Sequence, residues 1–224
     1  MKKVTTMHHS LYIDTHTHHQ ERNKETFQLK NVIIGKESLP TLPCSVGIHP
    51  WYIIGSDIKK QFILMKDYLN RENVLAVGEC GLDKLCKTDW EIQTSVFQRQ
   101  IDIAENVEKP LIIHCVRAYQ EVLQLLRKTT QPVIFHGFNK NIELVCQLLK
   151  QGYYISLGAD ILHGHLDEHI REIPLNKIFL ETDDKPIPII DIYAYFCTVR
   201  KINLPQLKEQ IGENFERVFK YVIK

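Results

Sequence analysis

The chain has 224 residues, of which 44% are hydrophobic, and its formal net charge at pH 7 is +1. This length and composition are typical of one globular domain with a substantial core. The near-neutral net charge excludes a strongly basic overall surface for binding duplex nucleic acid, but it does not exclude a local basic patch. No apolar segment is long enough to be a membrane span, and none of signal-peptide length follows the basic Met1–Lys3. No CxxC pair occurs among the six cysteines. We therefore expect a cytoplasmic protein without membrane contact or a disulfide framework.

Short β-branched segments alternate with amphipathic helical segments along the chain, without a linker or an internal repeat. This alternation is typical of βα units around a parallel sheet. The predicted strands are Ser10–Thr15, Val32–Ile34, Cys44–Ile48, Val74–Val77, Leu111–Ile113, Val133–Phe135, Tyr153–Leu157 and Ile178–Leu180. Eight strands favour a closed TIM-like (β/α)8 barrel over an open sheet. We expect residues 1–224 to form this barrel as a single domain.

The first third of the chain departs from the regular pattern. The segment between His18 and Val32 is short and polar, and Glu37–Pro43 is too short for a helix. A parallel crossover needs about a dozen residues or more, and these are usually helical. We therefore expect loops, or a strand out of register, in place of one or two outer helices.

Local capping signals mark several helix starts further along the chain. Thr88 with Glu91 has the spacing of a capping box, and Asn141 and Asn203 are residues that favour the N-cap position. Pro205 then falls in the first turn of the last helix, where proline is well tolerated.

Histidines and acids follow the apolar segments at the predicted strand ends. They are His16 and His18 after the first strand, His49 after the third, Glu79 after the fourth, His114 after the fifth, His136 after the sixth and Asp183 after the eighth. The carboxyl ends of barrel strands meet at one mouth, where catalytic groups gather. Burying this many titratable groups together is costly unless a cation compensates. The set therefore predicts a metal site, whereas a single histidine of this kind would more often be structural.

The spacing and the ligand types both bear on the metal. Residues i and i+2 of a strand face the same side, so His16 and His18 are able to bind one cation together. Mixed imidazole and carboxylate ligands favour zinc, manganese or iron over calcium. Magnesium prefers oxygen ligands and water, so it suits the carboxylate-rich part of the set.

Seven ordered motifs resemble the TatD family of metal-dependent deoxyribonucleases, within the amidohydrolase-type barrels. They are DTHTH at Asp14–His18, GIHP at Gly47–Pro50, GECGLD at Gly78–Asp83, PLIIH at Pro110–His114, FHGF at Phe135–Phe138, SLG at Ser156–Gly158 and LETD at Leu180–Asp183. The closing Glu213-Asn214-Phe215 with Phe219 is also similar to the end of that family. The resemblance covers almost the whole chain.

The resemblance implies a cofactor of two divalent cations, which would be magnesium, manganese or zinc. The implied ligands are His16 and His18 for one cation, His114 and His136 for the other, Glu79 between both, and Asp183 beside the attacking water. A bridging carboxylate such as Glu79 holds two cations close enough to activate one water together. A carboxylate beside that water is able to take its proton, so Asp183 is the expected general base. Asp14 is expected to orient a ligating histidine.

Departures from the family pattern fall in the substrate loops. The family commonly has an arginine two residues after the fifth-strand histidine, whereas here Val116 stands there and Arg117 follows. After LETD the family usually has a small residue and proline, whereas here Asp184 and Lys185 precede Pro186. These differences bear on the substrate more than on hydrolysis.

Two residues at the mouth are expected to contact substrate. His49 in GIHP is a predicted substrate or phosphate contact, because polar groups at this face often serve binding; a structural role is equally open. Arg117 could pair with a phosphate through its planar fork, with a solvated helix-start arginine as the alternative. The second HxH, at His163 and His165, is expected to be a polar loop or helix start.

The first functional hypothesis is a deoxyribonuclease that hydrolyses phosphodiester bonds of DNA ends or single strands, with no obligate protein partner. The runner-up is a small-molecule lactone, amide or phosphoester hydrolase on the same metal site, since one barrel design hosts many substrates. The third is a binding protein that has lost catalysis, for which loss of Glu79 or Asp183 would have been the sign.

Overall fold

The structure is a computed structural model, and it describes residues 11–19 and 23–223. The strands are β1 Tyr12–Thr17, β2 Thr26–Ile33, β3 Cys44–Gly47, β4 Val74–Asp83, β5 Leu111–Val116, β6 Val133–Phe135, β7 Tyr154–Leu157 and β8 Ile178–Leu180. The α-helices are α1 Ile58–Leu69, α2 Trp90–Val107, α3 Tyr119–Leu125, α4 Ile142–Lys150, α5 Asp167–Glu172, α6 Ile189–Arg200 and α7 Leu204–Phe219. Ser10, where the first strand was predicted to begin, lies outside the described residues.

All eight strands belong to one sheet in the order β1 to β8. Strands β2 to β6 pair in parallel with their neighbours in the chain, as do β7 and β8. Strand β8 also meets β1, through a parallel bridge between Thr17 and Asp183. A parallel sheet in chain order whose last strand meets its first is a nearly closed (β/α)8 barrel. The predicted fold class is confirmed.

The first third is trimmed, as expected. Within the described residues, neither 18–19 with 23–25 before β2 nor 34–43 between β2 and β3 contains a helix. Strand β2 begins at Thr26, well before the predicted start at Val32. Its first residues are only partly buried and alternate between polar side chains and the apolar Phe27 and Leu29. A half-buried strand has this alternation, which a search for continuous apolar segments overlooks.

The helix starts follow the capping signals with one exception. Asn141 and Asn203 cap α4 and α7, and each side chain accepts a backbone N–H of the first turn. The N-cap of α2 is Asp89 and not Thr88, because the Asp89 carboxylate accepts the N–H of Ile92 at 3.0 Å. The Thr88 hydroxyl instead donates to the carbonyl of Pro50.

Contacts divide the chain into two compact units. The first unit is Met1–Gln28 with Gly137–Lys224, and the second is Leu29–His136. The expectation of a single domain over residues 1–224 stays a prediction beside this division.

In the first unit, α6 and α7 pack against β1. The buried Tyr193 hydroxyl of α6 donates to the carbonyl of Ile13 at 3.0 Å and accepts the N–H of Ile13 at 3.1 Å. Ile13 itself is completely buried. The backbone of β1 is therefore held by a side chain just before the strand reaches His16.

In the second unit, buried glutamines from two helices satisfy backbone groups near the ends of strands. Gln100 of α2 donates to the Ile48 carbonyl at 3.0 Å and accepts the Ile48 N–H at 2.8 Å. Gln61 of α1 donates to the carbonyls of Ile34 and Tyr52. Buried backbone groups need such partners, and these contacts position the loop that carries His49.

Among the described residues, no helix is both long and apolar enough to cross a lipid bilayer. All six cysteines are free thiols. Burial raises the pKa of the Cys44 thiol to about 12, which keeps it protonated and unreactive.

Candidate functional site

The residues predicted to bind metal or substrate lie in both units. The first unit carries His16, His18 and Asp183, and the second carries His49, Glu79, His114, Arg117 and His136. Within each unit, histidine nitrogens converge on one carboxylate oxygen.

In the first unit that oxygen is Oδ1 of Asp183. His16 Nε2 lies 3.6 Å from it and His18 Nε2 lies 3.5 Å from it. The two rings are perpendicular, with centroids 5.4 Å apart. Ligand atoms that share one cation at about 2.0–2.2 Å stand at such mutual separations. The expectation that His16 and His18 face the same side of the strand is confirmed.

The backbone fixes Asp183 against the same strand. Its N–H donates to the His16 carbonyl at 2.9 Å, and its own carbonyl accepts the His18 N–H at 2.9 Å. The φ angle of Asp183 is 55°, in the left-handed region that non-glycine residues adopt at a cost. The carboxylate is thus aimed at the histidines by backbone contacts.

Asp14 anchors Thr182 in the described contacts. Its carboxylate accepts the Thr182 N–H at 3.0 Å and the Thr182 hydroxyl at 2.7 Å. The Thr182 hydroxyl also lies 2.8 Å from that of Thr17. Burial raises the pKa of Asp14 to about 7, against the lowering effect of the Thr182 hydrogen bonds. These bonds tie the residue before Asp183 to the strand that carries His16 and His18.

In the second unit, Glu79 is the centre of the cluster. Its Oε1 lies 2.7 Å from His114 Nδ1, 2.8 Å from His136 Nε2 and 3.2 Å from His49 Nε2. Glu79 is only 4% exposed. The donor atoms of His49, Glu79 and His114 form one group with the spacing of metal ligands.

Glu79 lies inside β4, and the sequence-based expectation that it follows the strand end was wrong. The strand continues to Asp83, and its register with β5 shifts by one residue between Val77 and Cys80. Such a bulge re-aims a side chain out of the regular alternation. An apolar segment that stops at Val77 marks only the first half of this strand.

Glycine allows the close approach of strands around Glu79. Gly81 has a φ of 148°, and a Cβ there would collide with the carbonyl oxygen of His114. A Cβ on Gly47 would collide with the carbonyl of Glu79. The glycines of GIHP and GECGLD therefore bring together the strands that carry or precede His49, Glu79 and His114.

His114 has a defined orientation. Its Nε2 lies 3.2 Å from Oδ2 of Asp83, whereas its Nδ1 faces Glu79. A neutral imidazole that donates from Nε2 to a carboxylate keeps the Nδ1 lone pair for a cation. Burial alone would raise the pKa of Asp83, but hydrogen bonds from Trp51, Leu85 and His114 lower it. Asp83 is therefore ionised, and with a cation bound beside Glu79 it would hold His114 in the ligating tautomer.

In His49, unlike His114, the ring nitrogen that faces Glu79 is a hydrogen-bond donor. Its Nδ1 accepts the backbone N–H of Trp51 at 3.1 Å, so in the neutral ring Nε2 carries the proton and donates to Glu79. Burial lowers the pKa of His49, against the raising effect of Glu79, and this favours the neutral ring. The geometry makes His49 a hydrogen-bond donor at the edge of the cluster.

The sequence analysis did not identify Asn31 as a residue of the candidate site. Its Oδ1 accepts the Glu79 N–H at 2.8 Å and the hydroxyl of Ser45 at 3.1 Å, and its Nδ2 lies 3.3 Å from Glu79 Oε2. It is completely buried. An asparagine directly before the apolar Val32–Ile34 was the available signal, because a buried polar side chain in a strand needs a partner.

Two further predicted features lie apart from the clusters in the described contacts. Arg117 is exposed and has a φ of 54°. His163 ends a short 3-10 helix after β7 and stacks with His165 at a centroid distance of 6.2 Å, as expected for a polar loop or helix start.

The donor sets fit divalent cations. Each set offers imidazole nitrogens together with a carboxylate oxygen, which zinc and manganese accept. The largely buried Glu79 is surrounded by histidines, so a cation there would offset the cost of its desolvation.

A nearly closed parallel barrel whose strands carry clustered histidines and carboxylates is typical of a metal-dependent hydrolase. The comparisons with known proteins name the family. A model of the TatD related DNase family matches residues 13–220, and the chain belongs to this family.

Individual relatives and one solved structure agree with this assignment. The chain is 30% identical to an uncharacterized metal-dependent hydrolase, YabD, of Bacillus subtilis, over 79% of this chain and 76% of the relative. It is 27% identical to the putative deoxyribonuclease TATDN3 of Mus musculus, over 80% of this chain and 69% of the relative. Among solved structures, the TatD homologue YJJV of Escherichia coli matches with a TM-score of 0.79 and 20% identity, over 95% of this chain and 99% of that one. The last comparison supports the fold.

Proposed function

We propose that this TatD-family hydrolase is a deoxyribonuclease that cleaves phosphodiester bonds at DNA ends or in single strands, with two divalent cations. The observation that carries the proposal is the convergence of three histidine nitrogens on Glu79 Oε1. The family description and the name of the mouse relative support DNA as the substrate.

The two clusters would share the metal ligands between them. His16 and His18 would hold one cation with Asp183, and His114 and His136 would hold the second with Glu79. Distances within each cluster support this grouping, because each pair of histidines approaches one carboxylate oxygen. When bound, the cations would neutralise phosphate charge and make a water acidic enough to attack phosphorus.

The two carboxylates differ in exposure, and this difference supports different roles for them. Glu79 is 4% exposed, whereas the Asp183 side chain is 30% exposed. A metal ligand is able to be buried, whereas a general base must lie within reach of the water from which it takes a proton. Asp183 would take a proton from that water as its oxygen bonds to phosphorus and the bond to the leaving oxygen breaks.

Two residues would contact the phosphate. The Nε2–H of His49 donates to Glu79 in the structure, and it would turn to a non-bridging phosphate oxygen when Glu79 binds a cation instead. The exposed Arg117 lies three residues after His114 in the chain, and its guanidinium would pair with a phosphate.

The test is metal-dependent cleavage of labelled DNA. Metal-stripped protein would receive magnesium, manganese or zinc in turn, with single- and double-stranded substrates. Glu79→Ala and Asp183→Asn should abolish shortening of the DNA. Asp102→Asn, on an exposed part of α2 where it pairs with Gln98, is the matched control and should cleave like the wild type. No cleavage with any metal, by protein shown to bind metal, would contradict the proposal.

A small-molecule hydrolase is the second candidate, and one observation favours it. A cavity of about 230 Å³ in the first unit borders Asp183, Lys185 and Asp160. This volume suits a small ester or lactone better than an extended polymer. Salt separates the two candidates: DNA held through phosphates binds more weakly as salt rises, whereas a neutral lactone responds little.

A further inference from the structure

Trp51 is a surface residue whose side-chain orientation is fixed by a buried carboxylate. Its side chain is 57% exposed. Its indole N–H nevertheless donates to Oδ2 of the buried Asp83 at 2.6 Å. An exposed tryptophan is ordinarily free to change rotamer, so this bond pre-orients a large aromatic face towards solvent.

The same carboxylate positions His114. Asp83 Oδ2 accepts from both Trp51 Nε1 and His114 Nε2. The Trp51 ring meets the rings of His49 and His114 edge-on, at centroid distances of 5.2 and 6.0 Å. The indole ring is therefore held directly beside the Glu79 cluster.

The neighbouring surface is apolar as well. Leu85 is 61% exposed, and its backbone N–H donates to the other oxygen of Asp83 at 2.7 Å. Asp83 thus anchors an exposed aromatic side chain and the backbone of an exposed aliphatic residue. A flat apolar surface beside phosphate-binding chemistry suits a ligand with one charged and one flat apolar part, which is the character of a nucleotide.

We propose that Trp51 is a stacking platform for an unpaired nucleobase next to the cleaved phosphodiester, held in position relative to His114 by Asp83. This inference rests on the proposed deoxyribonuclease function. Every base has a π face, so stacking is tolerant of sequence, and a pre-oriented ring loses little conformational entropy on binding. Bases within a duplex are stacked on each other, so the platform selects single strands and frayed ends.

Fluorescence offers a direct test, because the chain has only two tryptophans. In a Trp90→Phe background, Trp51 is the only tryptophan that reports. The metal-loaded protein would be titrated with a phosphorothioate-linked single strand and with the same strand carrying tetrahydrofuran abasic sites. The normal strand should quench Trp51 fluorescence, and the abasic strand should quench it weakly and bind less tightly.

Two substitutions separate stacking from a structural role. Trp51→Leu removes the ring and should raise KM by about 5- to 150-fold, the range for loss of one stacked base, with a small change in kcat. Trp51→Phe keeps an aromatic face but loses the bond to Asp83, so it should retain part of the affinity. Trp90→Leu, at the start of α2, is the matched control and should leave KM unchanged.

The outcomes distinguish this inference from the function on which it rests. DNA cleavage with no quenching, or with equal KM for normal and abasic strands, would overturn the platform and leave the deoxyribonuclease standing. Equal losses in Trp51→Phe and Trp51→Leu, seen in kcat and not in KM, would also overturn it in favour of a purely structural tryptophan. Absence of any DNA cleavage by metal-loaded wild type would remove both proposals.

Discussion

Asn31 and Glu79 hold each other through two hydrogen bonds. The Glu79 N–H donates to Asn31 Oδ1 at 2.8 Å, and Asn31 Nδ2 donates to Glu79 Oε2 at 3.3 Å. Glu79 Oε1 is thereby turned towards His114 and His136. Asn31 is a positioning residue, because it acts on the candidate metal centre through Glu79.

Replacing Asn31 should weaken metal binding. Asn31→Ala removes the contact that aims the carboxylate, so we expect a loss of about 10- to 100-fold in metal affinity. It also leaves the buried Glu79 N–H without its acceptor, which should cost about 1–3 kcal/mol of unfolding free energy. Calorimetric metal titration and urea denaturation measure the two effects.

Asn73→Ala is the control for that substitution. Asn73 donates to the carbonyls of Pro40 and Leu42 in the second unit, so its loss should lower stability without changing metal affinity. An Asn31→Ala protein that binds metal as tightly as Asn73→Ala would contradict the positioning role.

Gly81 should tolerate no side chain. Gly81→Ala places a Cβ against the His114 carbonyl at a φ of 148°, so we expect a loss of more than about 2 kcal/mol in unfolding free energy. Gly55→Ala is the matched substitution, because a Cβ there meets nothing within 4 Å. Thermal denaturation of both variants compares them directly, and equal midpoints would show that the strands separate without cost.

Thr182 should matter for activity through its hydroxyl. Thr182→Val keeps the shape of the side chain but removes the bonds to Asp14 and Thr17. The backbone of Asp183 would then be held less firmly, so kcat for DNA cleavage should fall by about tenfold, an effect of roughly 1.4 kcal/mol on the barrier.

Thr198→Val, on the exposed part of α6, is the control for the Thr182 substitution. It should retain full activity. Unchanged kcat in Thr182→Val would show that the backbone contacts of Asp183 are sufficient by themselves.

Glu105, near the end of α2, should link stability to pH. Burial alone would raise its pKa, but hydrogen bonds from Thr129, Thr130 and the backbone of Gln131 lower the pKa from 4.5 to about 2. A carboxyl group whose pKa is lower in the folded state stabilises the protein above its unfolded pKa. That contribution is lost as pH falls from about 4.5 towards 2.

The measurement is urea denaturation of wild type and Glu105→Gln across pH. The variant should be less stable by about 1–2 kcal/mol at pH 7, a value reduced for partial solvent screening. The difference should shrink between pH 5 and pH 3. A constant difference over this range would show that the charge of Glu105 contributes nothing.

The barrel and the residue types of the candidate site could be predicted because both leave local signals. The segments Val133–Phe135 and Ile178–Leu180 are continuous apolar strands, and the structure has the same bounds. A buried parallel strand reads in this way because both of its faces are covered. His136 directly follows β6 and Asp183 comes three residues after the end of β8, so their positions near strand ends could be inferred without a structure.

The relationships between side chains could not be predicted, because they depend on register. The bulge in β4 places Glu79 inside a strand, and no composition signal marks an extra residue in a ladder. The contacts of Asn31 and Asp83 join residues that are 48 and 31 positions apart in the chain. Asp14 precedes His16 by two residues, and local spacing alone suggested a role beside that histidine, whereas the described hydrogen bonds of its carboxylate join it to Thr182.

The central claim is that the two histidine and carboxylate clusters hold divalent cations. Anomalous diffraction from crystals grown with manganese measures this directly. We predict two peaks, one between His16, His18 and Asp183 and the other between Glu79, His114 and His136, with the second lost in Glu79→Ala. Absence of anomalous density at both clusters, at manganese concentrations that support catalysis, would contradict the account.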